Sequence, residues 1–176
     1  GVSAYGVMMY VCFFFVAIFV GYSIGSSPII SYHYGAENRG ELQNMFRKSG
    51  LLMFLLGIAM SLSAIALAKP LAKLFVGYDE ALYNLTWQGF RLYSLAFLFT
   101  GLNIFASSLF TALNNGTVSA AISLLRTLVF QIGAVLVLPA LAGVTGLWLA
   151  TFAAEGCALA VSLIFTLVNR KKYGYF

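Results

Sequence analysis

Of the chain's 176 residues, 61% are hydrophobic and only 9% are charged, against roughly 25% charged in an average soluble domain. A chain of this size still leaves about 30% of its unfolded surface exposed after folding, so one small core cannot hide the excess and several segments must face lipid. The formal charge of +5 falls in short groups between apolar blocks rather than along one basic face, which argues against nucleic-acid binding.

Five blocks are long enough to cross about 30 Å of hydrocarbon, which takes roughly 20 helical residues. In chain order they are Ala4–Tyr32, Gly50–Ala68, Leu92–Leu113, Val118–Leu138 and Gly146–Val168. A membrane barrel strand would alternate apolar and polar residues. Blocks such as YVCFFFVAIFV do not alternate, so the expected fold is all-α: a single polytopic membrane helix bundle with five transmembrane helices.

The first span breaks near its end into GSSPIISYHYGAENRG. Pro28 removes a backbone donor and predicts a helix kink. Gly21 and Gly25 have the spacing that lets membrane helices approach closely, which leaves ordinary packing and the shaping of a cavity as two readings. His33, the sole histidine, stands between Tyr32 and Tyr34 where an interfacial aromatic belt is expected. A proton-relay role for it is the alternative.

Short loops rich in Lys and Arg stay on the cytoplasmic side. The first joint holds Arg39, Arg47 and Lys48, the second Lys69, Lys73 and Arg91, the third (Asn114–Gly116) none, and the tail Arg170, Lys171 and Lys172. Five spans put the first joint, third joint and tail on one side, with six basic residues there against three opposite. The tail is expected in the cytoplasm and Gly1 outside. The polar second joint, from Lys69 to Arg91, is also readable as a short helix lying on the membrane.

Two charges fall inside spans. An ionisable group at mid-bilayer costs from about 2.5 kcal/mol upward and faces a cavity or a partner. Arg126 lies roughly 12 Å, and Glu155 roughly 20 Å, from the cytoplasmic ends of their spans. A direct pair needs tilt or side-chain reach. Arg126 reads as a snorkelling or structural cation, or as part of a site, and Glu155 as a coupling or substrate residue. Asn103, Ser107 and Thr111 share one face of the third span, and Gln131 adds an amide to the fourth. Such a face either bonds helices together or lines an aqueous cavity.

Cys12 and Cys157 have no metal spacing, no second histidine or cysteine is placed to join His33, and no nucleophile–base pair or phosphate loop is present. Enzyme activity, a metal site and a cofactor are not expected. The chain begins without an initiator methionine and shows no signal-peptide pattern, so it reads as an excerpt of a longer protein.

GSSPIISYHYGAENRG, SSLFTALNNGTVSAAISLLRTLVFQ and GVTGLWLATFAAEG, in this order, resemble the carboxy-terminal lobe of the multidrug and toxic compound extrusion (MATE) transporters, bacterial multidrug-resistance type. The resemblance implies two six-helix lobes around a central cleft, in a bacterial cytoplasmic membrane, exchanging H⁺ or Na⁺ for amphipathic or cationic drugs by alternating access. It implies that helix seven and the amino-terminal lobe are missing partners, and that this chain alone is inactive. It matches Glu155 to an acid of the last helix and Arg126 to the arginine of ISLLRT; these two, with Asn103, Ser107 and Gln131 read from the polar faces, are the expected ion-coupling or substrate residues. A lipid-linked oligosaccharide flippase of the same superfamily and a non-transporting membrane scaffold are the alternatives.

Overall fold

The computed structural model describes residues 2–176, with side chains described from residue 8 onward. Gly1, expected on the outer side, lies outside the described residues. The described residues form six α-helices: α1 Val2–Gly35, α2 Arg39–Val76, α3 Glu80–Tyr93, α4 Phe97–Ala112, α5 Gly116–Leu124 and α6 Gln131–Tyr173. A 3₁₀ turn, Ser94–Ala96, carries α3 into α4, and a π-helical stretch, Leu125–Phe130, carries α5 into α6.

The joints are short because their residues cap helices. Asn38, Asp79 and Asn115 each accept the backbone N–H three residues ahead, starting α2, α3 and α5. Asn114 takes the left-handed conformation at φ 57°, which asparagine tolerates better than most residues.

Four continuous helical runs among the described residues are long and apolar enough to cross a membrane: Met8–Gly35, Arg39–Val76, Glu80–Ala112 and Gly116–Tyr173. The expected count of five separate helices is not found in that form, because the last two spans join in one run. That run is not straight. Ala142 (φ −129°, ψ 16°) and Gly143 (φ 56°, ψ −138°) leave helical geometry, and the positive φ of Gly143 is one that residues with a Cβ rarely adopt. Arg126 hydrogen-bonds Glu155, 29 positions on, although a straight helix would hold them about 44 Å apart. The chain therefore reverses at Ala142–Gly143 and the two arms lie side by side.

The second joint also differs from expectation. Lys69 and Lys73 do not end α2, which continues to Val76, and only Gly77–Asp79 separate it from α3. The Lys69 ammonium and the Arg91 guanidinium lie 5.0 Å and 5.4 Å from the Trp87 ring centroid, so both long stems cover apolar surface while their charges rest on an aromatic face. Helix α3 is the first part of the run that becomes α4.

Helix α4 is the centre of the bundle and packs against α1, α2, α5 and α6. In the Glu80–Ala112 run 56% of the most apolar stretch is buried, against 28% in α2 and none in Gly116–Tyr173. The main core gathers Phe19, Met53, Phe97, Phe105, Leu109 and Phe110. Large apolar residues such as Phe13, Phe14, Leu51, Leu62 and Leu136 point outward, as a lipid solvent allows.

The three joints expected on one side meet at one end. Gln43 donates to the carbonyls of Gly174 and Phe176, and Asn115 donates to the Tyr173 hydroxyl. The tail is clamped there. Tyr175 is fully buried and its hydroxyl donates to the Thr166 carbonyl at 2.8 Å. Burial, with Tyr173 adding to it, pushes that hydroxyl well above the ordinary tyrosine value.

Gly21 and Gly25 contact nothing within reach of an added Cβ. The close helix approaches lie elsewhere: a Cβ on Gly57 would stand 2.8 Å from the Phe97 carbonyl oxygen and 3.3 Å from Leu98 Cα. Both are backbone atoms, unable to turn aside. Gly57→Ala is expected to lower the melting temperature of the purified protein, by a loss of about 1–3 kcal/mol. Gly50, with open space around it, should accept alanine without loss because alanine is the better helix former. Equal melting temperatures for the two variants would contradict a tight α2–α4 crossing.

Candidate functional site

The two intramembrane charges meet. Arg126 donates from Nε and Nη2 to Glu155 Oε1 at 2.9 and 2.7 Å, and from Nε to Oε2 at 3.0 Å. Counting from the ends expected in the cytoplasm left the pair at different depths. Counting from the tight reversal at Ala142–Gly143 brings their backbones level to within about 6 Å, a gap the arginine side chain spans. Arg126 also lies within the π-helical stretch, where the i→i+4 ladder is interrupted and side chains are re-aimed. Such interruptions recur at functional sites.

Asn103 on α4 completes the site. Its amide donates to Glu155 Oε2 at 2.7 Å and to the Glu155 carbonyl at 3.0 Å, and Ser162 donates to its Oδ1 at 3.0 Å. Asn103 is fully buried, and the side chains of Arg126 and Glu155 are 21% and 7% exposed. Each carboxylate oxygen therefore accepts two charge-assisted or amide hydrogen bonds in a nearly dry setting. The pair is neutral as a unit. Removing either member strands the other, at a cost of about 3–5 kcal/mol for a fully buried pair.

Two cavities flank this network. One, of about 550 Å³, lies between α1 and α4 and is lined by Ser23, Pro28, Ser107, Ser108, Thr111 and Arg126, among others. The second, of about 330 Å³, is lined by Thr100, Thr127, Gln131, Thr151, Glu155 and again Arg126. The guanidinium thus borders both, while the carboxylate borders the smaller. In the larger cavity Ser23 Oγ is buried without a hydrogen-bond partner.

Of the residues singled out from sequence, Glu155, Arg126 and Asn103 form one connected network. Ser107 belongs to a neighbouring hydroxyl cluster, 3.0 Å from Ser119 Oγ and 2.8 Å from Ser123 Oγ. Gln131 donates to Thr151 Oγ1 at 3.1 Å on the wall of the smaller cavity. Pro28 lies inside the continuous α1 and lines the larger one. His33 is away from the network, its ring edge-on to Tyr32 at 5.3 Å. Sequence reasoning missed Ser162 and Thr151. Their spacing from Glu155, seven residues after and four before, would have placed them on the same helix face. No group of three or more His, Cys, Asp or Glu residues suited to a metal ion occurs among the described residues.

Comparison with known proteins points one way. A profile of the MatE family matches residues 1–136. No curated protein matches the chain significantly. Three solved structures share the fold. A MATE protein in complex with MaL6 aligns with TM-score 0.89 at 18% identity, covering 100% of this chain and 40% of that one. An outward-facing multidrug resistance MATE family transporter of the MOP superfamily aligns with TM-score 0.90 at 17% identity, again over 100% and 40% of the two chains. An inward-facing one gives TM-score 0.84 at 19% identity, over 97% and 39%. The chain thus spans about 40% of the length of these transporters. With its family profile, its apolar helices and this fold, the chain belongs to the MATE (MatE) family of membrane transporters.

Proposed function

We propose that this chain forms most of one lobe, the carboxy-terminal one, of a multi-pass secondary transporter in a bacterial cytoplasmic membrane. The transporter exports amphipathic or cationic drugs in exchange for H⁺ or Na⁺ by alternating access. Five membrane crossings follow if the reversal at Ala142–Gly143 occurs at a membrane surface. One observation carries the reading: Glu155, nearly buried and held by Arg126 and Asn103, lines the smaller of two cavities that share the Arg126 guanidinium.

A carboxylate there exchanges partners. In the resting arrangement Arg126 neutralises it, as an intrinsic cation tethered to the protein. A proton or Na⁺ arriving through the smaller cavity competes with the guanidinium for the same oxygens. When it wins, the freed guanidinium adds positive charge to the wall of the larger cavity and weakens the binding of a cationic drug. The ion and the drug then oppose each other's occupancy, and that negative coupling is what exchange requires. Asn103 and Ser162 hold the acid in place throughout. Each lobe supplies only part of a central cleft, so the chain by itself is expected not to transport.

The flippase reading calls for intramembrane cations free to bind pyrophosphate. Arg126, the one basic residue inside the five apolar blocks of the sequence, is already bound to Glu155, which favours drug exchange. A dry scaffold would not need a hydroxyl-lined cavity such as the one holding Ser107, Ser108 and Thr111.

In the full-length protein, Glu155→Gln should lower ion-driven drug efflux from proteoliposomes by about tenfold or more, the scale of a typical coupling free energy. It should also lose thermal stability, because Arg126 is left unpaired. The double variant Glu155→Gln/Arg126→Gln should recover that stability but not the efflux. Full efflux in the double variant would sink the coupling role. Separate runs with only a proton gradient and only a sodium gradient identify the ion.

Accessibility provides an independent check. With Cys12 and Cys157 replaced by alanine, a cysteine at Ser108 should react with a water-soluble thiol reagent, and one at the buried core position Phe110 should not. Equal protection of both would favour the dry scaffold.

A further inference from the structure

The geometry points to a binding site for the phosphate of an anionic lipid headgroup, in a basic cleft between the start of α2 and the end of α6. The cleft, of about 440 Å³, is lined by Arg39, Gln43, Arg170, Lys171, Gly174 and Phe176. It brings together three cations from opposite ends of the sequence. No carboxylate side chain lines it, and the only ion pair among the described residues is Arg126–Glu155, so Arg39, Arg170 and Lys171 have no acidic partner. Glu37 lies across Arg39 in the adjoining cleft with Lys172, outside this one.

The cleft is built rather than incidental. Gln43 spends its amide on the carbonyls of Gly174 and Phe176, which fixes the tail against α2. The left-handed Gly174, φ 70°, turns the chain after Tyr173, and the Arg39 stem packs where a Cβ on Gly174 would stand, 3.2 Å from Arg39 Cδ. Cations in the last turn of α6 complement its dipole, but that accounts for neither Arg39 nor the concave shape.

Depth selects the ligand. Arg170 lies 15 positions beyond Glu155, about 22 Å along the helix. If the acid is near mid-membrane, the cleft falls beyond the hydrocarbon edge, among the headgroups. Tyr32 and Tyr34 are exposed at the same end, as aromatic residues are at an interface. Guanidinium forks match phosphate oxygens in pairs, and basic pockets between membrane helices take anionic headgroups. This inference requires only that the chain is embedded in a membrane, and not the proposed exchange.

The test is native mass spectrometry of the full-length protein mixed with equal amounts of phosphatidylglycerol and phosphatidylcholine. One phosphatidylglycerol should be retained under conditions that strip phosphatidylcholine. In Arg39→Gln/Arg170→Gln/Lys171→Gln, retention should fall by on the order of 100-fold, at roughly fivefold for each cation. All three side chains are exposed, so the variant should fold, and an unchanged melting temperature in the absence of lipid verifies that. Arg47→Gln/Lys48→Gln removes charge from the same end but outside the cleft, and should retain the lipid as the parent does. Equal loss in that control, or undiminished retention in the triple variant, would overturn the site. So would displacement of the lipid by millimolar inorganic phosphate, which would assign the cleft to a free anion.

Discussion

A carboxylate placed among membrane helices has to be neutralised, and Glu155 is neutralised by a guanidinium that comes from the facing arm. The rest of the arrangement follows from that requirement. The two arms after α5 must run antiparallel and close together for Arg126 to reach, so the backbone must reverse sharply between them. Gly143 supplies the positive φ for the reversal. Gly146 lets the returning arm pass against the Leu138 carbonyl, where a Cβ would clash. The acid's remaining hydrogen-bond capacity is taken up by Asn103, which draws α4 against the returning arm. Helix α4 is the most buried element for this reason as well as for its phenylalanines: one of its faces makes the polar contacts of the site and another the apolar core.

Much of this could be read from the sequence, because lipid as a solvent leaves a coarse signal. A hydrocarbon slab demands long apolar blocks, and those blocks were visible. Their ends were not. Lys69 and Lys73 look like a loop in one dimension, yet a long aliphatic stem beside Trp87 lets the helix continue underneath them. The fourth and fifth blocks looked separate because polar and small residues divide them, but helical hydrogen bonding continues almost through the turn. The pairing of Arg126 with Glu155 was half legible. Two opposite charges inside spans invite pairing, while their apparent mismatch in depth arose from measuring at the ends away from the reversal rather than at the reversal itself.

The supporting residues were harder to see for a different reason. Single hydroxyls such as Ser162 and Thr151 are unremarked in membrane helices, where they bond their own backbone, as Thr166 does to the Ser162 carbonyl. Only with Glu155 fixed as an anchor does their shared face stand out. The YGYF end carries no periodic signal, and its burial depends on a partner, Gln43, that is 131 to 133 residues away. The expected close approach at Gly21 and Gly25 was a spacing argument, and spacing does not say which neighbour is present. Within this chain that face is open.

The strength of the buried pair limits how it can be used. An isolated charge would be too costly to keep in this setting, and a pair that never opens would be only a strut. Arg126 retains 21% side-chain exposure against 7% for Glu155, and it borders both cavities, so the guanidinium is the partner with somewhere to go. If it swings toward the larger cavity it remains solvated by the hydroxyls of Ser107, Ser123 and Thr111, whereas Glu155 would be left with Asn103 alone. On the proposed exchange, the opening of the pair is thus asymmetric: it is tolerable when an ion takes the guanidinium's place on the carboxylate, and costly when nothing does. In the proposed exchange that asymmetry ties the opening of the pair to the arrival of an ion.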